Sequence, residues 1–162
     1  MDPKTKRRSA EQVRKLVLRP WANPDFRRGR STFWIREHEH TIDFMHLHLF
    51  RASSAFRVHF GIRVLNDPFP APALNGPHSD AYSNLYLDFS DNLNHVNRCA
   101  GEIGAFCVTV GEPWFHKWSQ PSDLLSAESP LDHQAKEALR QALAGASDPE
   151  CVQASRRLLG AA

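Results

Sequence analysis

Cysteine is scarce in this 162-residue chain: Cys99, Cys107 and Cys151 cannot all pair, and none lies in a C-x-x-C. That excludes a zinc ribbon and a secreted disulfide framework, and points to a reducing compartment. No apolar run approaches the roughly 18 residues of a membrane-spanning helix. The basic N-terminus lacks the uninterrupted apolar stretch of a signal peptide. A cytoplasmic protein without membrane attachment is therefore expected. Also missing are a Gly-rich loop between strand and helix and any βαβ unit, which argues against a doubly wound nucleotide-binding fold. No Ser or Cys sits in a recognisable nucleophile setting, and Glu102 and Glu112 do not make a convincing acid–base pair. Internal repeats and low-complexity tracts are absent.

What remains is an ordinary globular composition, 41% hydrophobic and 23% charged, at a length suited to one domain. The net charge of +2 is unevenly placed. Residues 1–30 carry ten Lys and Arg against three Asp and Glu, a balance of +7; the remainder carry ten against fifteen, a balance of −5. Such a basic arm admits association with nucleic acid as one reading, although no nucleic-acid-reading module accompanies it.

Residues 1–8 read as a flexible basic tail. Ser9 and Gln12 form a capping box, and Val13, Leu16 and Val17 follow at helical spacing, with Pro20 predicting a helix end at Arg19. "ANPDFRRGRS" reads as a polar connection. Strands are predicted in "STFWIRE", "TIDFMHLHLF", "FRVHFGIRVL" and "NLYLDF", the last after a proline-rich excursion. "EHEH" is the turn after the first of them, so His38 and His40 are expected to face water. Leu93, Val96, Ala100, Ile103, Cys107 and Val110 mark one helix face, on which Cys99 and Cys107 read as inert core thiols. Trp114 and Trp118, one helical turn apart, read as a docking face for the core. Ser129-Pro130 and Asp148-Pro149 each resemble a cap followed by a first-turn proline, with helices ending near Gly145 and Gly160. The predicted fold is α+β: an N-terminal helix, a four-stranded antiparallel sheet, and C-terminal helices packed on one sheet face.

The period-2 pattern sets the candidate site. Phe56, Val58, Phe60, Ile62 and Val64 alternate with Arg57, His59, Gly61 and Arg63; Met45, Leu47 and Leu49 alternate with Phe44, His46, His48 and Phe50. A hairpin buries both apolar sets together only if paired residue numbers sum to an odd value, since a one-residue slip exposes one set entirely. The tightest such pairings put His59 opposite His46 or His48, on an outer face. Directly paired side chains have Cβ atoms about 4.5–5.5 Å apart. Three neutral imidazoles that close could serve as ligands, so His46, His48 and His59 form a candidate zinc site for a metal-dependent hydrolase. Only Asp88, or else Asp43, is available as a second-shell acceptor.

Several landmarks in their order, "LRPWANPDFRRGRSTFWIR", "IDFMHLHLFRASSAFRVHFGIRV" and "GEPWFHKWSQPSDLLS", resemble an uncharacterised, mainly bacterial domain-of-unknown-function family, number 4304. The resemblance covers about residues 9–126 and implies a single α+β domain there, with residues 127–162 a helical extension packed on or beside it. His48, Leu49 and Phe50 stand where that family often carries a Gln-Lys-Ser-like triplet. The family brings no established activity.

The reading these features favour is a non-enzymatic binding or interaction domain without a cofactor, comparable by fold-level analogy to immunity proteins. Its contact surface would be the outer sheet face, through His46, His48, Arg57, His59, Arg63 and Tyr86, and its partner another protein. The zinc-dependent hydrolase and the nucleic-acid association through the basic N-terminus stand as alternatives.

Overall fold

A computed structural model describes residues 1–17 and 25–161. Helix α1 spans Pro3–Val17. It starts where Asp2 Oδ1 accepts the backbone N–H groups of Lys4 (2.9 Å) and Thr5 (3.1 Å), the helix donors that have no intrahelical acceptor. The residues expected to form a flexible tail are thus helical from Pro3, and Ser9 is buried on the inner face with Ala10, Val13 and Val17. The capping box gives way because an aspartate cap lies upstream of it. The helix end expected at Arg19 and Pro20 lies outside the described residues.

Strands β1 (Arg27–Arg28), β2 (Phe33–Glu37), β3 (Thr41–Leu49) and β4 (Phe56–Val64) form one antiparallel sheet in chain order. The fourth strand is therefore Arg27–Arg28, in the stretch read as a polar connection. "NLYLDF" instead runs beside β4 with one isolated bridge, Ala55 to Asp88. Its clean alternation records one buried side (Leu87 and Phe89) and an exposed Tyr86, which a chain lying along a sheet edge shares with a true strand.

The hairpin register is Met45↔Phe60, His46↔His59 and Leu47↔Val58, an odd-sum pairing and the first of the two anticipated. One face then carries Trp34, Met45, Leu47, Phe56, Val58 and Phe60 into the main core. Onto that face pack α1, α2 (Leu93–Phe106), α3 (Glu112–Lys117), α4 (Pro121–Leu124) and α5 (His133–Leu143). The α5 cap is Asp132, whose side chain accepts from Ala135 N, rather than the Ser129 expected. Ser129 Oγ accepts instead from Leu131 N one turn earlier.

Helix α6 (Pro149–Leu159), capped by Asp148 as expected and closed by Gly160 at φ 76°, crosses to the opposite sheet face. There Leu159 completes a second core with Phe33, Ile35, Ile42, Phe44 and Leu65. The α+β class, with an N-terminal helix, a four-stranded antiparallel sheet and C-terminal helices, agrees with the expectation; the C-terminal helices, expected on one sheet face, are divided between both, because the apolar end of the outer face is covered by Leu159 of α6. Among the described residues no helix is long and apolar enough to cross a membrane.

Between α2 and α3 the helix widens into a π-turn, Cys107–Gly111. A Cβ added at Gly111 would lie 2.6 Å from the tip of the Phe60 ring. That ring is also stacked on Phe106 (5.4 Å) and meets Phe115 edge-on (5.6 Å). Gly101, by contrast, has open space where its Cβ would be. Gly111→Ala is therefore expected to destabilise by about 1–3 kcal/mol through overpacking. Gly101→Ala should stabilise by about 1 kcal/mol through helix propensity. Urea unfolding of the two variants beside the parent chain checks both signs.

Candidate functional site

The outer sheet face has two halves. Toward Glu37, Ile42 and Val64 it lies under α6 and the proline-rich excursion. Toward His48 and Arg57 no helix of the described residues lies over it.

Arg63 belongs to the covered half. It is only 2% exposed. Its Nε donates to Ser155 Oγ (3.0 Å), Nη1 to Ala71 O (3.1 Å), and Nη2 to the carbonyls of Asp67 (2.5 Å) and Phe69 (2.8 Å). A guanidinium presents its donors in a rigid fork, and here that fork joins β4, the excursion and α6. Arg63 is thus a structural clasp, and its expected place on the contact surface is corrected. In sequence it alternates with apolar residues as any solvent-facing arginine would.

The open half gathers His46, His48, Arg57 and His59. His46 stacks on Phe33 with ring centroids 4.4 Å apart and meets His48 at 5.9 Å. His48 in turn meets Phe50 edge-on at 5.5 Å. A further histidine joins from outside the hairpin: His78 stacks on His59 at 5.4 Å. It is brought there because the chain around it is laid along the edge of β4, Phe60 N donating to Pro77 O (3.0 Å) and Gly76 N to Phe60 O (3.1 Å). Val58 N donates to Ser79 Oγ (3.0 Å), and the Asn75 amide answers both Ile62 N (2.9 Å) and Ile62 O (3.0 Å). The only signal for His78 in the sequence was a histidine within a proline-rich run, which does not say where the run lies.

Arg57 rests over the Phe50 ring (5.0 Å) and pairs through Nη2 with Asp80. Its Nε is buried, and among the described residues it has no hydrogen-bond partner. Tyr86 is 62% exposed and stands off the sheet. It lines a cleft of about 290 Å³ with Asp80, Tyr82 and Asp88. On the other flank a cleft of about 480 Å³ is lined by Lys6, Arg7, Phe50 and Arg51. Lys6 is itself held by the carbonyls of Phe50 (2.8 Å) and Arg51 (2.9 Å).

Burial holds the His46 ring at a pKa of about 4, with the neighbouring His48 and His59 pushing in the same direction. His59 is also lowered, first by burial, then by His78 and Arg57, with Asp80 opposing. Among the described residues no group of three His, Cys, Asp or Glu side chains is arranged to hold a metal ion. Neither anticipated acceptor backs His46, His48 or His59: Asp88 pairs with Arg98 (2.8 Å), and Asp43 is on the opposite sheet face. There Asp43 binds Arg36 (2.9 Å) and His38 (2.9 Å), so His38 does not simply face water. Arg36 also reaches Glu112 (3.2 Å) and lies over the Phe26 ring (4.4 Å). This network ties β2 and β3 to α3, and no local pattern in the sequence signals it, since its members come from separate segments.

Part of the basic N-terminal charge is engaged within the protein. Arg28 forks onto Glu11 (2.7 and 3.1 Å), and Arg27 donates to Ala161 O (3.1 Å). Cys99 and Cys107 are buried, as expected of core thiols, and burial pushes the Cys99 thiol up to about 12. No family model matches the chain, and no curated protein or solved structure matches it.

Two outcomes follow. Arg63→Met leaves three carbonyls and Ser155 without their donor, and is expected to cost about 3 kcal/mol. Urea unfolding measures the loss, and limited proteolysis should show earlier cleavage between residues 66 and 76. The second concerns pH. An unfolded chain protonates His46 near its ordinary value of 6.5, whereas the folded chain holds it at about 4. Between those values the unfolded state binds more protons, so stability should decline as pH falls through that window. Thermal unfolding across the window should show the decline, and His46→Phe should flatten it.

Proposed function

We propose that the chain is a non-enzymatic binding domain that meets a protein partner through the open half of its outer sheet face. The observation that carries this reading is the grouping of His46, His48, His59, His78 and Arg57 there. Among the described residues no side chain hydrogen-bonds to any of those four rings. A part-exposed guanidinium over a phenyl ring, beside half-exposed imidazoles, has the composition of a recognition patch. Aromatic side chains and arginines supply most of the binding energy in such patches. Recognition needs neither a nucleophile nor a metal. Tyr86 contributes from the rim, through the cleft it shares with Asp80. Arg63 contributes only by keeping the covered half in place.

Site-directed photo-crosslinking tests the reading. A benzophenone amino acid replacing His48 should join the chain to a discrete partner in extracts of cells that produce it. Arg57→Glu should abolish that adduct, and the same crosslinker replacing exposed Glu137 on α5 should not form it. Equal labelling from positions 48 and 137, or none from 48, would remove this face as the binding surface.

A further inference from the structure

The ionisable side chains of the open half-face are basic ones. Arg57, His46, His48, His59 and His78 occupy it, and Arg7 and Arg51 border the adjoining cleft. Against them, among the described residues, a single carboxylate makes an ion pair with any of these side chains, that of Asp80 on Arg57. Asp80 lies on a short 3-10 turn, Ser79–Ala81, outside the hairpin. Its side chain and that of Arg57 are both more than a third exposed. An exposed ion pair of this kind contributes little to stability, yet it occupies the group best shaped to fork onto a carboxylate.

Building on the binding reading, we infer that the patch receives an acidic segment of a partner protein. Its carboxylates displace Asp80 from Arg57 and lie across His48 and His59, more tightly as pH falls. Asp80 thus acts as an internal competitor, holding the arginine until an outside carboxylate takes its place. The existing Arg57–Asp80 pair shows the chemistry the guanidinium accepts. A nucleic-acid backbone would call for a row of permanent cations matched to successive phosphates, whereas the middle of this patch is imidazole.

The direction of the pH effect follows from the neighbours. His59 faces His46 and His48 from β3, Arg57 from its own strand, and His78 and Asp80 from the segment along the edge of β4. His46 also feels Arg14 from α1. The basic neighbours resist protonation of the His46 and His59 rings, and Asp80 opposes them at His59. A bound acidic segment reverses that balance, so the complex takes up protons and strengthens toward lower pH.

The probe is a short polyglutamate peptide titrated into the isotope-labelled chain at about pH 7.5 and about pH 5.5, followed by NMR. The peptide should shift amides of residues 46–50 and 57–59 and bind more tightly at the lower pH. Asp80→Asn should tighten binding about two- to fivefold at both, since the competing exposed pair is gone. Asp80→Ser is run in parallel and should do the same. The double variant His48→Gln/His59→Gln should lose most of the pH dependence while still binding. The inference is overturned if both Asp80 variants leave affinity unchanged or weaken it, if binding is independent of pH, or if a short oligothymidylate displaces the peptide from the same amides. If His48 remains the crosslinking position while the Asp80 variants have no effect, the binding face stands and the acidic partner does not. If position 48 captures nothing, the binding reading itself falls.

Discussion

Leu47 lies against Val58 and Met45 against Phe60 because only an odd-sum register lets β3 and β4 bury their apolar residues on the same side. Everything else in the molecule is arranged around that pairing. It commits Trp34, Phe56 and Phe60 to the main core and gives α1 through α5 a surface to cover. By the same alternation it sends His46, His48, Arg57 and His59 to the other side. A slip of one residue would exchange the two sets, placing imidazoles under the helices and phenylalanines in water. At about 1.5–3 kcal/mol for each large apolar side chain returned to solvent, that alternative cannot compete.

The outer face is divided by a second, polar constraint. Ile35, Ile42 and Phe44 make one end of it apolar, and α6 is held there by Leu159 and by the Arg63–Ser155 hydrogen bond. A buried guanidinium is tolerable only when its donors are answered. The carbonyls of Asp67, Phe69 and Ala71 answer them, so the excursion is anchored by the same group that anchors the helix. Ions are therefore used in opposite ways on one strand. Arg63 is fully engaged and structural, while Arg57, six residues earlier, rests on Phe50 with an unanswered Nε and one exposed carboxylate partner.

The histidines sit between these regimes. His46 abuts the covered half through Phe33 and is too desolvated to charge easily. His48 stands in the open. His59 is crowded by His78 from a segment that reached it along the edge of β4.

What the sequence determined by itself was everything that depends on a short repeat. Period 2 set the strand faces and the parity of the register; period 3.6 marked α2; and a proline after an aspartate marked the start of α6. These signals are local, each contained within a single segment of the chain. Tertiary structure alone decided which half of the outer face stays open. Arg57 and Arg63 occupy equivalent places in the alternation and differ only in what lies above them: a bare surface for one, and Ser155, distant in the chain, for the other. Tertiary structure also brought His78 into the patch, moved Tyr86 to its rim, and made Arg27–Arg28 rather than "NLYLDF" the fourth strand. No repeat encodes those outcomes, because each is a contact between segments whose separate patterns are compatible with several neighbours.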